Sequence, residues 1–441
     1  MKFGGTSLKD AATIRRASAI ISDFYKKENP EQLVVVVSAP GKIGHTDLED
    51  KITNLLEKVH RKVKTDENFA EVIKRAEKIS KDLGLTHNSV LSSNDLEFIN
   101  YNPLRDPEEV DRAYSKIVSL GERQQRKTVS DFLESLGLPS KSLDFNEFGM
   151  LTDYGYIDAK AAPETTELIE ESLKGLEGII VIPGFVGYNY REEITTLGRD
   201  GSNYTATKVA EAIQAREVYI FSDEPGVRRA PPRLVPDAEI LEEITYDEAI
   251  EFAELGAKII NAKSVYPAKK ENIPINIVDE NYKGTKITSH ISSEHLGAKI
   301  IASSPNHFLL TIKYGSDKPG VLADIAEEFK KARVNIESIS DERHALTIAF
   351  VDSGGEIGRI LSSLNKEYQY TLENSFARVS LIGQGMRNQP GILAKMTSAF
   401  ARRGISIDAI SQSLNQLNIT TFIPQEYERT AVRTLYDDLF R

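Results

Sequence analysis

The chain has 441 residues, of which 40% are hydrophobic and 27% charged, an ordinary composition for a globular protein of roughly two to four domains. Its formal net charge of −11 argues against a general nucleic-acid-binding protein. Because the sequence contains no cysteine, disulfides, thiolate metal sites and cysteine nucleophiles are excluded. No apolar run approaches the ~20 residues of a membrane span and no signal peptide opens the chain, so we predict a cytoplasmic protein without a membrane partner.

The chain opens on a glycine-rich turn, Lys2-Phe3-Gly4-Gly5-Thr6-Ser7. Glycines let backbone N–H groups approach a ligand closely, and the start of a helix presents its positive end to an anion. The following segment predicts an amphipathic helix, because its apolar residues recur at helical spacing. These residues are Ala11, Ile14, Ala17, Ile21 and Phe24. Since Lys2 adds a compact positive charge, we predict a phosphate-binding turn; the alternative is a strand-turn-helix junction that binds nothing.

Short apolar runs alternate with helical patterns over the first two thirds of the chain. The runs are Leu33–Val37, Ile179–Ile182, Val218–Phe221 and Ile275–Val278. Helical patterns cover 202–215 and 246–260, and the polar stretch 61–117 predicts a helical excursion on the surface. This alternation predicts a mostly parallel sheet covered by helices, in which ligands bind at the carboxyl ends of the strands.

The last third contains an internal repeat, 317–340 and 388–411. Pro319-Gly320-Val321-Leu322-Ala323 corresponds to Pro390-Gly391-Ile392-Leu393-Ala394, at an offset of 390 − 319 = 71 residues that holds throughout. Each copy predicts a βαββαβ module with Pro-Gly at a helix start. Free N–H groups at such a start suit a small carboxylate, unless the repeat is a purely structural duplicate.

Two motifs, followed by these paired modules, resemble the aspartate kinase family: the opening turn and Thr196-Leu197-Gly198-Arg199-x-Gly201-Ser202. Leu120-Gly121-Glu122, Leu255-Gly256-Ala257-Lys258 and Gly385-Met386-Arg387 are also similar to that family. The resemblance extends from Lys2 to about Leu439. It implies an α/β fold, an amino acid kinase-like three-layer sandwich with a mostly parallel sheet over 1–290. Two βαββαβ ACT-type α+β modules would follow at 297–370 and 371–441, either separate or intertwined.

The resemblance also implies an activity. This is ATP-dependent phosphorylation of the L-aspartate β-carboxylate to 4-phospho-L-aspartate, the first step of lysine, threonine and methionine biosynthesis. It implies Mg²⁺ held mainly by the nucleotide phosphates, feedback by lysine or threonine, and a homodimer or larger assembly through the ACT modules. A β-carboxylate is ionised at neutral pH and needs no general base, so the enzyme must mainly position two anions and screen their repulsion.

Site residues follow from the resemblance by position. Lys2 and Lys258 are expected to be catalytic and to contact the phosphates. The expected substrate contacts are Thr53, Glu122 for the α-ammonium, Phe185 as the pocket wall, Arg199 for the α-carboxylate, and Ser202. The remaining expected nucleotide contacts are Gly4, Gly5, Thr6, Ser7, Ser222, Asp223, Arg228 and Arg233. The expected effector contacts are Asp317, Gly320, Val321, Leu322, Gln412, Asn415, Asn418 and Ile419. The seven His residues show no ligand spacing, so we expect no metal site built by the protein itself.

Each of these assignments has an alternative. Glu122 could be a solvated carboxylate at a helix start, Lys258 a surface lysine and Phe185 plain core. The chain departs from the family at Asp200 and Asn203, where Gly and Asp are typical, and in the segment 222–233. It also begins with the opening motif itself, so either the first strand is short or the coding start lies upstream. A second hypothesis is therefore an amino-acid-sensing regulatory protein with a degenerate, weakly active kinase domain. A weaker rival is a kinase acting on glutamate or carbamate.

Overall fold

The computed structural model describes residues 1–44, 46, 50–62, 65–85, 107–224, 226–256, 259–290, 296–314, 320–342, 344–352, 354–364, 368–412 and 417–441. The chain divides into two compact units. The first comprises Met1–Val227, Ile240–Ile250 and Ile259–His290, and the second comprises Arg228–Glu239, Glu251–Lys258 and Ile291–Arg441. The predicted boundaries at 290/297 and 370/371 stay predictions.

Strands and helices alternate up to residue 288. In chain order they are β1 (Lys2–Phe3), α1 (Ala11–Glu28), β2 (Gln32–Val37), α2 (Ile52–His60), α3 (Thr65–Asp82), α4 (Pro107–Val118), α5 (Leu120–Ser135), β3 (Ser140–Ser142), α6 (Thr165–Leu173), β4 (Gly178–Pro183), β5 (Val186–Tyr188), β6 (Ile194–Thr196), α7 (Gly201–Ala212), β7 (Val218–Phe221), β8 (Glu243–Thr245), α8 (Tyr246–Glu254), α9 (Ala262–Lys270), β9 (Ile275–Val278) and β10 (Gly284–Thr288).

Eight of the described strands form one sheet in the order β3-β4-β2-β1-β7-β9-β10-β8, and every neighbouring pair is parallel except β9 with β10. This confirms the predicted mostly parallel sheet. Phe3 lies opposite Val37 on one side and Phe221 on the other, and Val37 lies opposite Pro183. The carboxyl ends of β1, β2, β4 and β7 therefore share one edge of the sheet.

Helix α1 covers one face of this sheet, as its sequence pattern predicts. Ala11, Ile14, Ala17 and Ile21 are buried, and Phe24 packs partly buried against the same core. The helix begins with a capping box, in which Asp10 accepts from Thr13 N at 2.8 Å and Thr13 Oγ1 accepts from Asp10 N at 3.1 Å. The opening motif is therefore not the start of α1 itself, because its last three residues belong to a separate 3₁₀ turn, Gly5–Leu8, that precedes the helix.

The other helical predictions hold with shifted bounds. The pattern 202–215 forms α7, whereas the pattern 246–260 forms a helix only as far as Glu254, and Gly256 follows in a left-handed conformation with φ +91°. Within 61–117 the described residues form α3 and α4. Helix α3 is not a purely surface element, since Phe69, Val72 and Arg75 are buried.

The remaining elements belong to the second unit. They are β11 (Ile300–Lys313), α10 (Val321–Lys331), β12 (Ile336–Glu342), β13 (Ala345–Phe350), α11 (Ile357–Leu364), β14 (Gln369–Ile382), α12 (Ile392–Ala401), β15 (Ala409–Gln412), β16 (Asn418–Pro424) and α13 (Glu428–Phe440). The six strands form one sheet in the order β12-β13-β11-β14-β16-β15. Its centre is the antiparallel pair of the two longest strands, β11 and β14.

The internal repeat is reproduced in the structure. Helices α10 and α12 begin at residues 321 and 392, and α11 and α13 begin at 357 and 428, so both pairs keep the offset of 71 residues. Each copy supplies a β-α-β-β-α unit, and β14 both closes the first copy and opens the second. The predicted α+β modules are thus present as a pair that shares one sheet.

None of the helices in the described ranges is both long enough and apolar enough to cross a bilayer. The cytoplasmic location stays a prediction.

Candidate active site

Lys2 is the first of the two residues of β1, close to the glycine turn that follows the strand, and its side chain is buried. A Cβ on Gly4 would lie 3.6 Å from Lys2 Nζ and 3.7 Å from Phe221 O, which places the ammonium over the glycine turn between β1 and β7. Burial lowers the pKa of Lys2, while the negative charges of Asp200 and Asp223 act to raise it. The ammonium is thus buried close to the turn, and the charges of two carboxylates act on it.

The glycine turn packs backbone against backbone on the loop that follows β2. Gly41 N donates to Gly5 O at 2.8 Å. A Cβ on Gly5 would lie 2.6 Å from Ala39 O, and one on Gly41 would lie 2.7 Å from Gly5 O. Only glycine fits at either position, which gives the opening motif a structural reason for its second glycine.

Glu122 occupies the first turn of α5 and is 5% exposed. Burial raises the pKa of its carboxyl to about 7, and backbone N–H groups of Ala39 and of Glu122 itself act to lower it. Its Oε2 atom has no hydrogen-bond partner among the described residues. A buried acceptor without a partner is rare and marks a place where a ligand donor fits. The alternative of a solvated helix-start carboxylate is therefore wrong for Glu122.

Phe185 follows β4 and packs partly buried against a core cluster that includes Ala39, Ile52 and Leu120. It adopts a left-handed conformation with φ +70°, and its N–H donates to Thr205 Oγ1 at 3.1 Å. An aromatic residue held at positive φ stores strain of about 1–3 kcal/mol, as is typical of functional sites. Thr53 is half-buried in the first turn of α2, beside Ile52 of the same cluster.

Arg199 lies in the loop between β6 and α7 with its side chain exposed, and its guanidinium meets no partner among the described residues. Ser202 follows in the first turn of α7, where its Oγ accepts from Ser38 Oγ at 2.9 Å. Ser38 comes directly after β2 and was not a predicted site residue. Its position at a strand end was the signal that could have identified it.

Ser222 and Asp223 follow β7 at the same sheet edge. Ser222 N donates to Val278 O at 3.0 Å, and its Oγ accepts from Glu224 N at 3.2 Å. Asp223 is exposed, and its charge acts on Lys2.

The role of Arg228 and Arg233 as nucleotide contacts stays a prediction. Both belong to the second unit, where Arg228 Nη1 donates to Ala238 O at 2.6 Å and Arg233 forms an ion pair with Glu428. Lys258, Asp317 and Asn415 lie outside the described residues.

The predicted effector residues that the structure describes lie in the second unit, at the start of α10 and on β15 and β16. Gly320 has φ +85° at the start of α10, followed by the buried Val321 and the exposed Leu322. Gln412 lies on β15 opposite Ile419 of β16. Asn418 donates through Nδ2 to the Glu251 carboxylate, and Ile419 is buried in the core.

A separate cavity of about 750 Å³ lies at the amino ends of the strands, lined by residues such as Met1, Val34 and Val218. None of the predicted site residues lines it. The glycine turn, the buried Lys2 ammonium and the buried Glu122 carboxylate lie instead at the carboxyl ends of the strands.

Residues 1–279 match the model of the amino acid kinase family, and residues 379–439 match the model of the ACT domain. The fold and the site therefore define an amino acid kinase followed by an ACT-type region. The chain is 31% identical to the aspartokinase of Pseudomonas aeruginosa over 74% of its length and 82% of that protein. It is 30% identical to the aspartate kinase of Pseudomonas putida, covering 84% and 92% of the two chains. We conclude that it belongs to the aspartate kinase family.

Two solved structures share the fold over nearly the whole chain. Escherichia coli aspartokinase III in complex with aspartate and ADP gives a TM-score of 0.80 at 23% identity, covering 100% of this chain and 99% of that one. The aspartate kinase of Clostridium acetobutylicum gives 0.80 at 21% identity, covering 99% of both chains. These likenesses confirm the predicted fold class.

The contact between the two glycine loops makes a steric prediction. Replacing Gly5 with Ala places Cβ against Ala39 O, and such overpacking costs about 1–3 kcal/mol, equivalent to roughly 3–10 °C in the first unit's unfolding temperature. Gly4→Ala is the matched control, because its Cβ would meet only ordinary contacts at 3.6 Å and 3.7 Å. Scanning calorimetry of both variants checks this, and equal unfolding temperatures would show that the loops do not need this close contact.

Proposed function

We propose that the protein is an ATP-dependent aspartate kinase, which phosphorylates the β-carboxylate of L-aspartate to give 4-phospho-L-aspartate and ADP. One observation carries the proposal. A buried carboxylate oxygen of Glu122 without a described partner lies at the same sheet edge as the buried Lys2 ammonium and its glycine turn. A site for an α-ammonium beside a site for phosphate suits an amino acid kinase. The names of the relatives support aspartate as the substrate.

The substrate roles follow from charge and exposure. In this proposal Glu122 binds the α-ammonium, which supplies the donor that Oε2 lacks. Arg199 binds the α-carboxylate, because a guanidinium and a carboxylate form two parallel hydrogen bonds and Arg199 has no described partner to give up. Thr53 and Ser202 contribute hydroxyls, and Phe185 forms the wall of the pocket.

The residues at the glycine turn fit a polyphosphate. Gly5 and Gly41 let the two loops pack backbone against backbone, and Lys2 is positioned over Gly4, where its ammonium can meet the transferring phosphoryl oxygens. Gly4, Thr6 and Ser7 line the same turn, and Ser222 and Asp223 border it. We propose that the nucleotide phosphates themselves would hold the Mg²⁺ ion, which would supply neutralisation of their negative charge. Lys258 remains a proposed second cation at the phosphates.

Arg228 and Arg233 carry less weight as nucleotide contacts. The guanidinium groups of both residues are already hydrogen-bonded within the second unit, to Ala238 O and to Glu428. A role at the phosphates would require these bonds to be given up.

The chemical step needs no general base. A β-carboxylate oxygen attacks the γ-phosphorus in line, the bond to the bridging oxygen breaks, and its electron pair leaves with ADP. The aspartate β-carboxyl has an ordinary pKa near 4, so it is ionised at neutral pH. What the chain supplies is orientation of two anions and a buried positive charge from Lys2 between them.

A coupled assay that detects ADP and traps the acyl phosphate with hydroxylamine tests the function. We expect turnover with L-aspartate and Mg-ATP, and no comparable turnover with L-glutamate or carbamate. Aspartyl hydroxamate identified by mass spectrometry confirms the product. No turnover by a folded protein that still binds lysine or threonine would instead support the regulatory-protein hypothesis.

The raised pKa of Glu122 predicts a pH dependence. Only the ionised carboxylate binds an ammonium, so kcat/KM for aspartate should fall about tenfold per pH unit below an apparent pKa of about 7. Aspartate itself does not titrate between pH 5.5 and 8. The measurement is kcat/KM for aspartate at saturating Mg-ATP. Glu122→Gln should give a low value without this acidic fall, and a flat profile in the parent protein would contradict the role of Glu122.

We propose that the paired modules bind lysine or threonine and assemble the protein as a homodimer or larger oligomer. The proposed assembly is supported by exposed apolar side chains that recur at the repeat offset of 71 residues. They are Leu322 with Leu393, and Ile339 with Ile410. Ile339 lies on β12 and Ile410 on β15, which are the two edge strands of the six-stranded sheet. Exposed apolar edge strands are a natural site for pairing between subunits.

Effector inhibition can be measured on the full chain. We expect lysine or threonine to lower turnover, and Gln412→Ala to raise the half-inhibitory concentration about tenfold, since a hydrogen bond to a charged group contributes about 1.5–3 kcal/mol. Gln369→Ala is the matched control, because Gln369 is an exposed glutamine on β14 that is not a predicted effector contact. Equal inhibition of both variants would exclude Gln412 from the effector site.

A further inference from the structure

The loop that follows β2 is packed between two parts of the proposed active site. On one side, Gly41 N donates to Gly5 O of the glycine turn at 2.8 Å. On the other side, the loop meets the first turn of α5, where a Cβ on Gly121 would lie 2.7 Å from Ala39 Cβ. Because Glu122 follows Gly121, a shift of this loop would disturb the glycine turn and the proposed ammonium site together.

A guanidinium from α3 reaches the same loop. Arg75 Nη2 donates to Gly41 O at 2.7 Å, and Arg75 Nη1 donates to Asp50 O at 2.6 Å. Gly41 follows β2 and Asp50 precedes α2, so these two hydrogen bonds join both ends of the segment between the two elements. A guanidinium suits such a bridge, because its N–H groups form a rigid, planar fork.

The packing of α3 places Arg75 at this loop. The residue is 4% exposed, and Phe69 and Val72 of the same helix share a core cluster with Ile52 of α2. Ile52 N donates to Pro40 O at 3.0 Å, which also closes the segment between β2 and α2. Since a hydrogen bond from a charged donor is roughly twice as strong as a neutral one, the buried guanidinium holds its two carbonyl groups firmly.

We propose that Arg75 is a positioning residue for phosphoryl transfer. Its guanidinium holds the carbonyl of Gly41, while the N–H of Gly41 holds the carbonyl of Gly5, so one loop residue links α3 to the glycine turn. Arg75 thus acts through the loop rather than on a substrate. The proposal rests on the kinase function above.

The test compares variants of the full chain assayed with aspartate and Mg-ATP. Arg75→Met removes both hydrogen bonds and keeps an unbranched side chain. We expect kcat/KM for both substrates to fall about ten- to hundredfold and both KM values to rise, because a small misplacement of the groups that bind the reactants has effects of this size. Arg75→Lys, which retains a cation but not the fork, should give intermediate values.

Lys74→Met is the matched control, because Lys74 is an exposed neighbour on the same helix whose ammonium pairs with Glu71. It should keep the parent values. A merely structural role for Arg75 would reduce the amount of folded enzyme, which lowers the apparent kcat and leaves both KM values unchanged. Rising KM values in folded variants therefore separate positioning from stability.

Two measurements need no turnover. Amide hydrogen exchange of the peptide that contains Gly41 should be about tenfold faster in Arg75→Met than in the parent, while α1 exchanges equally in both. Binding of Mg-AMP-PNP, measured by calorimetry, should weaken about tenfold. If the parent binds the analogue but does not phosphorylate aspartate, the kinase function fails and these two measurements still decide the role of Arg75.

Unchanged KM values in folded variants, or equal exchange at Gly41 in variant and parent, would overturn the role of Arg75. Should Arg75→Met fail to fold, the same measurements on Arg75→Lys decide, with smaller changes in the same direction as the expected result.

Discussion

The contact between two glycine-containing loops determines where everything else in the first unit lies. Gly5 and Gly41 approach so closely that no side chain fits at either position, and a backbone hydrogen bond joins them. Since β1 and β2 are in register, this contact fixes the loops that follow both strands against each other. Lys2 then lies over one loop, and the Ala39 N–H of the other reaches Glu122. The proposed phosphate turn and the proposed ammonium site are thus joined through these two loops.

Three charged side chains, those of Lys2, Asp200 and Glu122, lie near these two loops, and each is stabilised by different neighbours. Lys2 has two acidic neighbours and little solvent. Asp200 has three hydrogen-bond donors and the nearby cation. Glu122 has only two backbone donors for its two oxygens, and its pKa is accordingly the one raised to about 7. Burying a carboxylate oxygen without a partner is unfavourable, and the proposed α-ammonium of the substrate would supply the donor that Oε2 lacks.

Much of the fold could be predicted because helices and strands follow from the spacing of apolar residues along the chain and from a few residues with strong conformational preferences. The buried face of α1 follows from apolar spacing, and the parallel sheet follows from β-branched runs. Helix ends were predicted less accurately: α8 ends at Glu254, and a left-handed Gly256 follows it. Lys2 and Glu122 were found through motifs, whereas Ser38 and the donors around Asp200 were not. Their roles depend on hydrogen bonds between residues far apart in the chain, such as Ser38 with Ser202 and Asp200 with Asn261.

In the second unit, some residues recur in both copies of the repeat because they pack the core, and others recur although they are exposed. Phe329 and Phe400, 71 residues apart, are both buried, as any two copies of one core require. Gly320 and Gly391 are also paired, and a Cβ on either would meet nothing within 4 Å, so backbone φ alone demands glycine there. Core packing does not explain why Leu322 and Leu393, or Ile339 and Ile410, remain exposed in both copies. Apolar exposure that recurs at equivalent positions is the observation that supports the proposed assembly through the paired modules.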